Sequence, residues 1–216
     1  VVGGKIFANY LQNASSKIRV YDLKGKYLQN LRLPGIGTCT GISGKKEETE
    51  RFFSFTSFTF PTTIYKLNTE TMKSTVFRSP KINFDPEGYK TEQKWFTSKD
   101  GTKVPVFITY KKGIEMNGTN PTLLYGYGGF NIPVLPSFSI TRIPLLENGG
   151  IYAVANIRGG GEFGKEWHMA GTKEQKQNVF DDFIAAAEFL IDNNYTSKDK
   201  IAIEGGSNGG LLVGAC

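Results

Sequence analysis

The 216-residue sequence predicts an α/β fold preceded by an all-β segment of β-propeller type. Three observations predict it. Short β segments separated by turn signals fill the chain up to about Ser79, an internal echo recurs at blade spacing, and the rhythm then changes to strands alternating with a helix.

In the first part, Lys17 to Leu23, Tyr27 to Leu33, Arg51 to Ser57, Thr62 to Leu67 and Ser74 to Arg78 read as strands, with no helix among them. Val20-Tyr21-Asp22-Leu23 is echoed 44 residues later by Ile64-Tyr65-Lys66-Leu67, the interval of one four-stranded propeller blade. Phe52, Phe53, Phe55, Phe58 and Phe60 are interleaved with Ser and Thr. That alternation suits a half-buried strand better than a platform for stacking bases, so the rings are expected in the core. About two blades cannot close a propeller, because each blade buries its faces against neighbours, and the others are expected upstream of Val1.

Pro80 to Gly88 is a punctuated connector, which divides the chain into 1–80, the last blades of a β-propeller, and 81–216, the start of the α/β domain. Beyond it, Lys94 to Thr97 and Val104 to Tyr110 flank the turn Ser98-Lys99-Asp100-Gly101 as a hairpin. Thr122 to Tyr125 and Ile151 to Ile157 are continuous apolar runs of the buried-strand kind. Asn178 is placed to cap a helix with Val179, Phe180, Phe183, Ala187, Leu190 and Ile191 at helical spacing, ending near Asn193-Asn194. Asp181 and Asp182 would then sit in its first turn, at the positive end of the helix dipole.

Bulk properties narrow the function. The apolar content of 39% suffices for a real core, and the net charge of +6 is scattered among acids rather than drawn into a stripe, which argues against a nucleic-acid partner. No apolar run approaches the roughly 18 residues of a membrane helix, and no secretory signal opens the chain, so no membrane partner and a cytoplasmic location are expected. Cys39 and Cys216 make no metal spacing and read as inert buried thiols in a reducing compartment, while the sequons at Asn13, Asn117 and Asn194 are taken as silent. No cofactor or metal is expected.

The chemistry gathers at the end of the chain. Ile201-Ala202-Ile203-Glu204 reads as a strand, Gly205-Gly206-Ser207-Asn208-Gly209-Gly210 as a sharp turn, and Leu211-Leu212-Val213 as an opening helix. This is the nucleophile-elbow context of an α/β-hydrolase fold, in which a strained turn exposes the serine and the positions two before and two after it must lack bulk, here Gly205 and Gly209. A hydroxyl needs a base and an orienting group. The single histidine, His168, precedes Ser207, whereas this fold runs Ser, then an acid, then His; His168 is therefore read as a surface or core residue. The oxyanion needs two donors. One is the backbone N–H of Asn208, and the loop Tyr125-Gly126-Tyr127-Gly128-Gly129-Phe130 is the candidate for the other, with Tyr125 and Tyr127 equally eligible by composition.

YGYGGF (125–130), ANIRGGGEFG (155–164) and GGSNGGLL (205–212) together resemble the prolyl oligopeptidase family, and the resemblance runs along essentially the whole chain. It implies a cytosolic serine peptidase whose α/β-hydrolase domain is capped by a propeller, acting on short proline-containing peptides, cutting after proline, and monomeric when complete. It implies Ser207 as nucleophile, the Tyr127 hydroxyl and the Asn208 N–H as oxyanion donors, and Phe130 as a wall of the proline pocket. Arg158 matches the family too and is assigned to loop structure. Asn208 and Phe130 favour the prolyl branch over the dibasic-cleaving oligopeptidase B type, which usually has Ala after the serine. The triad Asp and His would lie beyond Cys216; with Val1 in place of Met at the start, both ends read as cuts, and the chain alone is expected to turn over little or nothing. The rival readings are a non-catalytic peptide-binding product of the same family and a hydrolase of another acyl substrate.

Overall fold

A computed structural model describes residues 1–216, which form two compact units. The first comprises Val1–Phe84 with Leu135–Ser139, and the second Asp85–Val134 with Ile140–Cys216. Nothing in the sequence marks the membership of residues 135–139 in the first unit. They are held there by the Thr38 hydroxyl, which donates to the Pro136 carbonyl at 2.7 Å, and by the Phe138 N–H, which donates to the Thr56 hydroxyl at 3.2 Å.

The first unit is all β. Strands β1 (Ile6–Gln12), β2 (Ser15–Tyr21) and β3 (Tyr27–Asn30) form one antiparallel sheet, and β4 (Thr38–Thr40), β5 (Glu50–Thr56), β6 (Thr63–Asn68) and β7 (Ser74–Arg78) a second. The echoed segments fall on the last-but-one strand of each sheet but not at the same place along it: Val20-Tyr21 ends β2 beside its turn into β3, whereas Ile64-Tyr65 begins β6, and register slips at each. Ile18, Val20, Leu31, Cys39, Phe53, Phe55 and Leu67 form the core, and Phe53 stacks on Tyr65 at 5.2 Å. Phe58 is buried as well, but Phe52 points outward and packs on Phe77 at 4.7 Å, so the aromatic run is only partly core. Strands β1 and β4 escaped the sequence reading. The β1–β2 turn uses Asn13 and Ala14, both at positive φ (51° and 56°), without the glycine that usually announces it, and β4 has three residues.

In the second unit, β8 (Tyr89–Thr97), β9 (Lys103–Lys111), β10 (Thr122–Tyr125), β11 (Ile151–Ala155) and β12 (Ile201–Glu204) form one sheet in the order β12-β10-β11-β9-β8. β12, β10 and β11 are parallel; β9 and β8 are antiparallel additions. Every residue of β11 is buried, as a parallel strand covered on both faces requires. Helices α1 (Ile143–Glu147), α2 (Lys165–Met169), α3 (Gln177–Asp192) and α4 (Asn208–Ala215) complete the unit. α1 and α2 are too short to show helical periodicity in sequence. α3 lays Val179, Phe183, Ala186 and Leu190 against Val106, Ile108, Leu124 and Ala153 of the sheet. No helix is long and apolar enough to cross a membrane.

Two expectations at the start of α3 are corrected. Lys176, not Asn178, holds the cap position; Asn178 lies inside the first turn and its amide donates to the Ala170 carbonyl at 3.0 Å. Neither Asp181 nor Asp182 is in the first turn; Asp182 lies in the second and is fully buried. There it accepts from Arg158, whose Nε lies 2.9 Å from one carboxylate oxygen and whose terminal nitrogen lies 2.6 Å from the other, from the Arg158 N–H at 3.0 Å, and from the Ser98 hydroxyl at 2.6 Å. The other guanidinium nitrogen reaches Asp100 at 2.5 Å. Arg158 thus locks the β8–β9 turn, the loop after β11 and α3 together. Its hydrogen bond to Asp100 holds that carboxyl down at about 2, so this contribution is present above the ordinary carboxylate range and is lost as pH falls through about 2. The Cys39 thiol is buried and pushed up to about 12, but Cys216, which directly follows α4, is exposed rather than buried.

Removing one partner of a buried ion pair strands the other charge in the core. Asp182→Ala is expected to destabilise the second unit by about 3–5 kcal/mol, whereas Asp100→Ala, at an exposed carboxylate, costs about 1 kcal/mol or less. Denaturant titration of the two variants in the full-length protein checks the ranking, and equal losses would contradict it.

Candidate active site

The position of Ser207 follows from strand pairing. β10 and β12 are parallel neighbours in level register, with Tyr125 opposite Glu204, and the Gly126 N–H donates to the Glu204 carbonyl at 3.2 Å. The two chains therefore leave the sheet side by side at the carboxyl ends of the strands, where open α/β sheets bind ligands. One continues as the Tyr127 to Phe130 loop, the other as the turn carrying Ser207.

Ser207 has φ 54° and ψ −116°, a combination that costs a side-chain-bearing residue about 1–3 kcal/mol. It is exposed, and its hydroxyl caps none of the backbone N–H groups of α4. The two flanking glycines show what the tight turn demands. A Cβ on Gly205 would run into the backbone of Gly209, and one on Gly209 would stand 2.7 Å from the Gly126 carbonyl oxygen. Asn208 opens α4, so its N–H is among those a helix leaves unpaired, next to the serine.

The two tyrosines separate by position. Tyr125 ends β10, where alternation sends Leu124 into the core under α3 and turns Tyr125 to the opposite face, near Tyr152. Tyr127 lies beyond the strand, its ring 3.7 Å from where a Cβ on Gly209 would be. The Asn208 side-chain amide donates to the Tyr127 carbonyl at 2.5 Å, joining loop to elbow directly.

Phe130 is 73% exposed and, with Asn131, sits in the left-handed region at φ 53° and 56°. The pair is held from behind by His168. Its Nδ1 lies 2.8 Å from the Gly159 carbonyl and 3.1 Å from the Asn131 N–H. With the proton on Nδ1 the imidazole donates to Gly159, whose carbonyl also takes the Asn131 N–H at 3.2 Å. The sequence offered no sign of this buttress, since His168 and Asn131 are 37 residues apart. Lys176 was missed for the same reason: its ammonium donates to the Gly128 carbonyl at 2.8 Å and lies 3.4 Å from the Asn208 side-chain oxygen.

Below the loop, Glu162 is buried. One carboxylate oxygen accepts the Val134 N–H at 2.8 Å and the Asn156 amide at 3.2 Å. The other oxygen and the Asn156 side-chain oxygen are buried without partners. Burial raises the Glu162 pKa above the ordinary carboxylate range.

Comparison with known proteins places this geometry. The profile described as "Prolyl oligopeptidase, N-terminal beta-propeller domain" matches residues 1–80, and "Prolyl oligopeptidase family" matches residues 136–216. The prolyl endopeptidase of Elizabethkingia miricola is 55% identical over 99% of the chain and 30% of its own length, and that of Dictyostelium discoideum 45% identical over 98% and 28%. A solved prolyl endopeptidase superimposes with a TM-score of 0.91 at 49% identity, over 100% of the chain and 32% of its own. Prolyl oligopeptidase B from Galerina marginata superimposes at 0.88 and 40%, over 98% and 31%. The chain spans less than a third of the length of these relatives.

Because the folded pKa of Glu162 lies above its unfolded value, the stability the group contributes is complete below the ordinary carboxylate range and is lost as pH rises through the raised value. Glu162→Gln keeps the shape and offers a donor at the position of the orphaned oxygen. It is expected to raise the melting temperature at pH 7–8, with the gain closing towards pH 4. Melts of both proteins across that range check the sign.

Proposed function

The chain belongs to the prolyl oligopeptidase family, and on that premise we propose that the protein carrying it is a serine-type endopeptidase that hydrolyses peptide bonds on the carboxyl side of proline in short peptides. The observation that carries this is the strained, exposed Ser207 beside the Tyr127 loop. In the proposed reaction Ser207 Oγ attacks the carbonyl carbon and gives its proton to a base. The developing oxyanion accepts from the Tyr127 hydroxyl and the Asn208 N–H, and collapse expels the amine with the transferred proton. Water then hydrolyses the acyl-enzyme on Ser207 by the same route.

His168, the single histidine of residues 1–216, is engaged with the Gly159 carbonyl beside the Phe130 loop and is not proposed as the base; the family resemblance supports a base and an orienting acid supplied from outside these residues. Phe130 forms an apolar wall for the pyrrolidine ring, which is rigid and uncharged and so is selected by shape and stacking. The two free cysteines, with no disulfide between them, support a cytoplasmic location. The family resemblance supports short proline-containing peptides as partners and a monomer as the working form.

Three substitutions test the roles in the full-length protein. Ser207→Ala is expected to abolish cleavage of a Gly-Pro amide reporter, and Tyr127→Phe to lower kcat by about 100- to 1000-fold with little change in KM. Phe130→Ala should lower kcat/KM for proline at the cleaved position more than for alanine. The isolated 1–216 chain should show no efficient turnover. Comparable cleavage of proline and non-proline reporters by the unaltered protein would shift the assignment to another acyl substrate.

A further inference from the structure

The two expected oxyanion donors belong to different segments, Tyr127 on the loop after β10 and Asn208 at the start of α4, and something must set their spacing. Strand pairing aligns the segments only as far as Gly126 and Glu204. Beyond it the Asn208 carboxamide is the bridge: its nitrogen donates to the Tyr127 carbonyl at 2.5 Å, which leaves its oxygen needing a donor. Lys176, at the cap position of α3, supplies one. Its Nζ lies 3.4 Å from that oxygen and 2.8 Å from the carbonyl of Gly128, the residue next to Tyr127. A single ammonium on a long helix thus touches both segments.

We propose that Lys176 is a positioning residue for the oxyanion site: its ammonium fixes which way the Asn208 carboxamide faces and clamps the Tyr127-Gly128 backbone to the start of α4. The inference rests on the reading of Tyr127 and Asn208 as oxyanion donors. Two features support it. Lys176 is half-buried, with its pKa lowered by desolvation, so competition from water for its hydrogen bonds is reduced. Its stem passes Phe180, with Nζ 5.8 Å from the ring centroid, and it is anchored at the start of α3, whose apolar face is in the core; the ammonium is therefore held from a rigid element. Oxyanion donors act only if they are in place before charge develops, and misplacement by about 1 Å can cost about 100-fold in rate. Lys176 touches neither substrate nor nucleophile in this scheme. Its effect passes through Asn208 and Tyr127.

The test is a double-mutant cycle in the full-length protein with Lys176→Met, Asn208→Ala, which keeps the backbone N–H, and the pair, read with a Gly-Pro amide reporter. Each single variant should lower kcat by about 10- to 100-fold with KM within about twofold of wild type, and the pair should be no slower than the worse single variant, because both remove one clamp. A peptidyl proline aldehyde, whose adduct on Ser207 carries the oxyanion, should lose affinity by the same factor as kcat/KM, while a product peptide ending in proline should not. Lys176→Arg, which keeps the charge and donors, should recover most of the rate, and it is read alone if Lys176→Met does not fold. A Lys176→Met kcat within twofold of wild type, losses that multiply in the double variant, or an arginine variant as slow as the methionine one would each overturn the proposal. If the unaltered protein cleaves no prolyl reporter, the functional assignment fails instead. Hydrogen exchange across residues 126–130 then decides: faster exchange in Lys176→Met upholds the clamp and unchanged exchange overturns it.

Discussion

The level, parallel pairing of β10 with β12 is the constraint on which the site depends. Tyr125 stands opposite Glu204, so the loop after one strand and the turn after the other begin at the same height on the sheet. A register slip of one residue would reverse the faces of Leu124 and Tyr125, withdraw Leu124 from the core and carry Tyr127 away from Gly209. Burial enforces the register. Leu124 and Ala153 pack in one core with Val179, Phe183 and Leu190, which holds Leu124 on the face covered by α3.

On that foundation sit two groups that cost free energy and need support. The backbone of Ser207 is strained, which is tolerated because the surroundings leave it no alternative: Gly205 closes on Gly209, Gly209 on Gly126, and Leu212 of α4 is buried in the core. The buried charges of Arg158 and Asp182 are desolvated, and they persist because their mutual geometry is bidentate and Ser98 and Asp100 complete it. The same cluster secures the loop after β11, from which Gly159 receives His168 and Asn131. The stability network and the site geometry are therefore continuous through residues 157–160, although Arg158 makes no contact with Ser207.

Strands with clear alternation or a continuous apolar run were legible, as were α3 and the elbow, because their signals are local. Thr122–Tyr125 and Ile201–Glu204 fall where the sequence reading puts them. What was not legible had no local signal. β1 ends in a turn without glycine, β4, α1 and α2 are too short to establish a period, and residues 135–139 are recruited to the first unit by contacts with Thr38 and Thr56. Asn178 and Asp182 looked like residues of a helix start, yet tertiary partners claimed both side chains. Local preference is weaker than a buried hydrogen bond or ion pair when the two compete.

By itself, the sequence determined the α/β character of the second half, the propeller-like repeat of the first, and Ser207 as the residue held in a strained turn. Each of these is written in the spacing of neighbouring residues: period two, period 3.6, a 44-residue echo, and glycines two positions either side of a serine. Only the tertiary structure decided that Tyr127 rather than Tyr125 faces the elbow, that His168 holds the Gly159 carbonyl beside Asn131, that Asp182 answers Arg158, and that Lys176 reaches both Gly128 and Asn208. These are pairings between residues tens of positions apart. Their partners are chosen by sheet register and helix packing, which the order of residues along the chain specifies only through the whole fold.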